Sequence, residues 1–295
     1  MTENLIKYNK TAEKSFGISI LIPTWNNLDL LKLCIAGIQK NSQLDVQIIV
    51  FVNEGSDGTP EWLEEQDNID YIVSGKNIGI CYALNLCRSL VKSDYILYLN
   101  DDMYVLPGWD IYLFEEIRKI KTKMFMLSAT MIEPVDTNNP CVVVKDYGTD
   151  IETFAEEKLL AEMNTLSRSD WSGSTFPPNI VHIDLWDAVG GLSIEFSPGM
   201  YSDPDFAHKL YDAGVRIFKG VGNSLVYHFG SKTTKRLGKN TGRKKFLMKW
   251  GITPRTFTRE YLGLGNEFAV LPEKMELSKK SLFINKIKRI LYALF

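Results

Sequence analysis

Four apolar runs recur at short intervals in the first hundred residues, and each is closed by a polar cluster. Gly17–Pro23 runs into Thr24-Trp25-Asn26-Asn27. Val46–Val52 ends at Asn53-Glu54-Gly55-Ser56-Asp57-Gly58, Ile69–Val73 at Gly75-Lys76-Asn77-Ile78-Gly79, and Ile96–Leu99 at Asn100-Asp101-Asp102. Between the runs, Leu28, Leu31, Ile35 and Ile38 recur at helical spacing. Thr59-Pro60 opens a second helix, with Thr59 as N-cap and Pro60 in the first helical position, and a third passes through Ala83, Cys87 and Leu90. This alternation predicts an α/β fold, a mostly parallel Rossmann-like sheet with helices on both faces. In such sheets ligands lie beyond the carboxyl ends of the strands, so the four polar clusters are expected to converge on one crevice.

The fourth cluster carries the sharpest chemistry. Asp101 and Asp102 are adjacent carboxylates at the end of a buried run, where they repel each other and are costly to desolvate. A divalent cation relieves both costs, and Mg²⁺ or Mn²⁺ favours oxygen ligands and shares its shell with phosphates. A solvated turn capping the next helix is the other reading of the same residues.

Four segments then occur in order: Ile22-Pro-Thr-Trp-Asn-Asn27, Val52-Asn-Glu-Gly-Ser-Asp-Gly-Thr59, Lys76-Asn-Ile-Gly-Ile-Cys-Tyr-Ala-Leu-Asn85 and Leu99-Asn-Asp-Asp-Met-Tyr-Val-Leu-Pro-Gly-Trp109. Together they resemble the family 2 glycosyltransferases of the glycosyltransferase-A fold, over roughly Gly17 to Gly251. The resemblance implies a nucleotide-sugar donor, a UDP-sugar above others, held over Mn²⁺ or Mg²⁺. It implies Thr24, Trp25 and Glu54 near the base, Lys76 and Asn77 near the nucleoside, Asn100 and Asp101 at the ribose, and Asp102 on the cation. The chain departs from the pattern at Asn53-Glu54, where members often carry Asp-Asp, with one residue missing before Asp57. It departs again at Asn100, which replaces an acidic residue and can hydrogen-bond a ribose hydroxyl without adding charge.

Further along, Met124–Met131 reads as another strand and Ile151–Leu166 as a Glu-rich helix. Ser167–Pro178 reads as a long polar loop whose Trp171 and Phe176 are candidate sugar platforms, with edge packing as the alternative. Trp186 and Asp187, in His182–Leu192, are further acceptor candidates. In Tyr201-Ser-Asp-Pro-Asp205, residue type alone makes Asp203 an N-cap before Pro204. The resemblance instead makes Asp203 the catalytic base, with Asp205 the alternate. It also places His228, at the end of the run Asn223–His228, beside the diphosphate and on the metal.

Composition bounds the rest. At 295 residues and 45% hydrophobic content the chain can bury a large core, as one big domain or two smaller ones. The formal net charge of −2 hides ten Lys/Arg and no Asp or Glu between Ser231 and Arg259, a composition suited to a loop closing over a diphosphate or to a solvated face. No nucleic-acid motif accompanies it, so no nucleic-acid partner is expected. Four cysteines without metal spacing read as buried thiols of a reducing compartment. A polar opening, Met1 to Lys14, and the lack of any run near the ~20 residues of a membrane span make a cytoplasmic location the expectation. The expected layout is an arm over 1–16, a donor half over 17–135, an acceptor half over 136–231, a basic loop and helical segment over 232–272, and an amphipathic helix over 273–295.

In that last helix Phe283, Ile284, Ile287, Ile290, Leu291, Leu294 and Phe295 share one face, with Lys286, Lys288 and Arg289 outside it. Residues 278–295 therefore suit either the interface of a membrane, at its inner face, or packing on this domain or a second subunit. The expected reaction is transfer of a sugar to a hydroxyl of a glycan or lipid-linked acceptor, with inversion implied by the resemblance, in the synthesis of a cell-surface polysaccharide or glycoconjugate. Two other readings share parts of the pattern. A sugar-phosphate nucleotidyltransferase would want a Gly-rich basic loop after the first strand, where Thr24-Trp-Asn-Asn27 stands. A catalytically weak transferase kept as a carbohydrate-binding scaffold would tolerate Asn100.

Overall fold

The computed structural model describes residues 5–230 and 241–294. Expectations that rest on 231–240, on the Leu294 side chain and on Phe295 lie outside the described residues. Among the described residues eleven strands form one sheet. They are β1 (Leu5–Tyr8), β2 (Ile18–Thr24), β3 (Val46–Asn53), β4 (Ile69–Ser74), β5 (Tyr95–Tyr98), β6 (Met103–Val105), β7 (Phe125–Glu133), β8 (Val143–Val144), β9 (Trp171–Ser172), β10 (Asn179–His182) and β11 (Ile217–His228). The order across the sheet is β1-β4-β3-β2-β5-β10-β7-β11-β6, with β8 on β7 and β9 on β11. The helices are α1 (Leu28–Asn41), α2 (Thr59–Glu64), α3 (Ile80–Cys87), α4 (Trp109–Lys119), α5 (Glu156–Glu162), α6 (Ile183–Val189), α7 (Ser202–Asp212), α8 (Gly242–Trp250), α9 (Pro254–Thr256) and α10 (Lys279–Leu294).

Why β2 reads as an unbroken apolar run is clear from its two faces. Ile18, Ile20 and Ile22 enter a core with α1 and α4 (Leu31, Ile35, Trp109, Leu113), while Leu21 enters a second core with α3, α6 and α7 (Cys81, Leu84, Leu185, Phe206). A strand covered on both faces has no solvent side to alternate with. β4, β3, β2 and β5 are mutually parallel. Beyond β5 the sheet turns mixed, because β10 inserts antiparallel between β5 and β7, with Asn179 opposite both Tyr98 and Ser128.

Two local readings shift. The opening arm contributes β1, antiparallel to β4. It is fastened by buried Asp70, which accepts from the backbone N–H groups of Lys10 and Thr11 at 2.7 and 2.8 Å. The Glu-rich helix is shorter than its composition suggests. Asp150 accepts from the Thr153 N–H at 3.0 Å and from its hydroxyl at 2.7 Å, and this local turn competes with helix until α5 begins at Glu156. All four cysteines are free and buried. No described helix is long and apolar enough to cross a membrane.

Candidate active site

The chain leaves β5 in the middle of the sheet and re-enters it as β6 beyond β11, and Asn100–Asp102 is the crossing between them. β6 runs antiparallel to β11 in the register Val226↔Val105, Tyr227↔Tyr104, His228↔Met103. His228 therefore stands one position from Asp102, and the Phe229 N–H donates to the Asp102 carbonyl at 3.1 Å. On its other side β11 is parallel to β7, with Tyr227 opposite Ile132, which brings the next residue, Glu133, against the same imidazole. The result is a line of three groups. Glu133 Oε1 lies 2.7 Å from His228 Nδ1, and Asp102 Oδ2 lies 3.4 Å from His228 Nε2.

Asp102 is 2% exposed and its Oδ2 has no hydrogen-bond partner. Burial alone would lower the pKa of His228, but the Asp102 and Glu133 carboxylates outweigh it and raise the pKa to about 10. Asp101 is driven upward by burial first and by the Asp102 charge second, with Thr24 and Asn27 opposing the shift from its flank. These groups line a crevice of about 590 Å³ that also takes in Thr24, Trp25, Asn77 and Asn100.

The polar clusters after the other strands are fixed by their own turns. Asp57 accepts from the Leu28 N–H at 2.8 Å and from Thr59 Oγ1 at 2.7 Å, tying the starts of α1 and α2 together. Thr59 is thus the first residue of α2, with Gly58 rather than Thr59 as N-cap. Asn53 Oδ1 accepts from the Ile78 N–H at 3.0 Å, and Asn77 Oδ1 from Gly79 at 2.8 Å, which folds the 75–79 loop over the end of β3. Gly79, at φ +83°, is pressed against Pro198: a side-chain carbon there would come within 2.7 Å of its Cα. Glu54 and Lys76 are exposed and lie outside the crevice lining, but Glu54 meets it through Trp25, whose Nε1 donates to Glu54 Oε2 at 2.8 Å.

Asp203 lines the same crevice, with Pro204 and Tyr201. It is not the N-cap: Tyr201 occupies that position at φ +70°, and Asp203 lies inside the first turn of α7. Burial raises the pKa of its carboxyl to about 7. Asp205 faces elsewhere. It is fully buried, accepts from Trp250 Nε1 at 2.8 Å and pairs with Lys249 at 2.9 Å, pinning α7 to α8.

Three acceptor candidates are placed outside the crevice. Trp171 is 3% exposed in β9, its Nε1 donates to Thr130 Oγ1 at 2.9 Å, and its ring lies on Gly220 so closely that a Cβ there would fall 1.8 Å from it. Trp186 is buried against Phe206. Asp187 forms a two-pronged ion pair with Arg88 at 2.7 and 2.6 Å. Phe176 does line the crevice. Trp171→Ala is accordingly expected to cost about 3–5 kcal/mol of stability, the range for emptying a buried Trp. Urea unfolding measures this as a lower midpoint, with acceptor KM unchanged in the folded fraction. Glu133 and Arg255, both in the lining, were not singled out from the sequence. Glu133 has a legible signal, a carboxylate closing an apolar run just as Asp102 does.

A parallel βα half that runs on into a mixed sheet, with an acidic crossing after its central strand, is the architecture of the GT-A fold. Residues 19–154 match the model described as Glycosyl transferase family 2. Chondroitin synthase of Pasteurella multocida (strain Pm70) is 25% identical over 256 residues, 74% of this chain and 25% of its own length. Chondroitin synthase of Escherichia coli is 26% identical over 260 residues, 76% of this chain and 37% of its own. The chain thus spans well under half the length of these curated relatives. Among solved structures, S. aureus TarS 1–349 superposes with a TM-score of 0.53 at 13% identity, covering 72% of this chain and 60% of that one. TarS 1–349 in complex with UDP-GlcNAc gives 0.51 at 16%, covering 73% and 61%. Just under half of the chain, residues 19–154, thus matches glycosyltransferase family 2.

Proposed function

We propose that the chain transfers a sugar from a UDP-sugar to a hydroxyl of a glycan or lipid-linked acceptor, with inversion and with a divalent cation, in building a cell-surface polysaccharide or glycoconjugate. The observation that carries this reading is that Asp102, His228 and Asp203 line one crevice. Thr24, Trp25 and Asn77 line the donor end of that crevice, with Asn100 and Asp101 at the ribose, while Glu54 and Lys76 act from outside the lining. Chondroitin synthases as relatives and a UDP-GlcNAc complex of a fold neighbour favour UDP over other nucleotides and a glycan acceptor. Asp102, Glu133, Asp203 and His228 together argue against the scaffold reading.

Asp203 takes the proton of the acceptor hydroxyl as its oxygen attacks the anomeric carbon, and the bond to the diphosphate breaks on the far side. The residues present fit a cation. Asp102 Oδ2 is buried without a hydrogen bond and His228 Nε2 stands 3.4 Å from it; with a cation taking the place of the His228 proton, this donor set suits Mn²⁺ as well as Mg²⁺. Among the described residues no group of three or more His, Cys, Asp or Glu could hold a metal ion by itself, so Asp102 and His228 would hold it together with the donor's phosphate oxygens. When bound it supplies positive charge against the leaving diphosphate. The four buried free thiols support work in a reducing compartment.

A thermal-shift screen of nucleotide sugars tests this reading, because a ligand that binds only the folded state raises Tm by mass action. A UDP-sugar with Mn²⁺ is expected to raise Tm more than either alone. Equal shifts for all nucleotides, with or without Mn²⁺, would contradict it.

A further inference from the structure

We propose that α10 is a membrane-docking helix that lays this domain on an anionic lipid surface. Its inner side is held by polar contacts. Asn285 is 2% exposed, and its Oδ1 accepts from the Thr253 N–H at 3.0 Å and from Thr256 Oγ1 at 3.2 Å. One turn earlier, Ser281 Oγ donates to Glu260 at 2.7 Å.

The apolar side points the other way. Phe283 is 64% exposed, Ile290 50%, Leu291 49%, Ile287 40% and Ile284 38%. At about 100° per residue these five fall within an arc of about 120°, and Asn285 lies about 160° from its centre. Packing of that face on its own domain, one of the readings open from sequence, is therefore not what holds the helix. Lys279 and Lys286 border one edge of the arc and Lys288 the other, Lys280 projects within it at the first turn, and residues 278–295 contain no Asp or Glu.

That border decides between a bilayer and a second copy. Two such helices packed face to face would bring the bordering lysines of both copies together with no carboxylate on either helix to pair them. An anionic headgroup layer meets the same lysines with opposite charge while the arc enters the acyl boundary. Lysines near such a surface contribute about fivefold each to affinity, equivalent to about 1 kcal/mol. At 16 residues the helix lies in the interface and does not span it. Its footing, Thr253–Thr256, includes Pro254 and Arg255 of the crevice wall, so docking holds that wall close to the bilayer. None of this depends on the transferase reading, and the two fail separately.

The test is sedimentation of the full chain with vesicles of phosphatidylcholine alone and of phosphatidylcholine mixed with phosphatidylglycerol, with light scattering of the free protein in parallel. The full chain is expected to pellet with the mixed vesicles and to be released by salt. Phe283→Ser/Ile287→Ser/Ile290→Ser and Lys279→Gln/Lys286→Gln/Lys288→Gln are each expected to lose at least about tenfold in partitioning. The apolar set is exposed, as are Lys279 and Lys286, and Lys288 is half-buried, so circular dichroism and the nucleotide-sugar thermal shift should match the parent. A full chain that stays in the supernatant overturns the proposal, as does binding that neither variant changes. So does a parent that is dimeric and fails to pellet, with the serine variant monomeric, which would assign the face to self-association.

Discussion

Asp203→Asn is expected to lower kcat by roughly 10²-fold or more, the scale of losing a positioned general base, and to leave donor affinity within error. The expectation follows from where the carboxylate stands: in the crevice lining, inside the first turn of α7, with the N-cap position taken by Tyr201. Burial raises its pKa to about 7, and a base acts only when deprotonated. The rate of the parent should therefore climb with pH and level off above about 7, and the residual rate of Asp203→Asn should lack that limb. Stability moves the other way. A carboxyl whose folded pKa lies above its unfolded value of about 3.9 favours folding in its protonated form, and that contribution is lost as pH rises through about 7. Asp205→Asn is the internal contrast. It weakens the contacts to Trp250 and Lys249, so its main effect should be a lower unfolding midpoint. Retained turnover in Asp203→Asn with loss of turnover in well-folded Asp205→Asn would move the base to Asp205.

How much of this was legible in the sequence depended on distance along the chain. The strands β2 to β5 and their helices follow from local periodicity, because each strand is buried on both faces and each helix buries one. The polar ends of those strands meet for a topological reason, so Thr24, Asn77, Asn100, Asp101 and Asp102 could be assigned to one crevice without coordinates. The second half is built from contacts distant in sequence. β10 reaches the sheet centre as an antiparallel insertion that no local pattern announces. Trp171, among Ser, Asp and Gly, reads from sequence as either a sugar platform or an edge-packed ring. It is buried because Gly220 on β11 leaves room for its ring and Thr130 accepts its indole proton. Asp187 is taken up by Arg88, 99 residues away. Glu133 was missed for the opposite reason, since the apolar run before it was read as core and ended two residues short. The capping logic at Asp203 failed by two positions, because a left-handed Tyr201 starts α7 earlier than Pro204 suggests.

The second large effect is expected at Asp102. Its Oδ2 is buried without a hydrogen bond, so replacement by the isosteric amide leaves packing intact and removes the charge a cation would need. It also leaves His228 with one carboxylate partner, Glu133, in place of two. Asp102→Asn should stay folded, lose metal-dependent nucleotide binding and show turnover near background. Glu133→Gln should be milder, because that carboxylate orients the imidazole through its far nitrogen.

The most direct measurement is a calorimetric titration of UDP, and of the UDP-sugar that gives the largest thermal shift, into parent and Asp102→Asn protein with and without Mn²⁺. The expected result is tight binding to the parent only with Mn²⁺ and no Mn²⁺-dependent binding to the variant. Equal affinity for the two proteins in the presence of Mn²⁺ would contradict a donor held over a cation at Asp102.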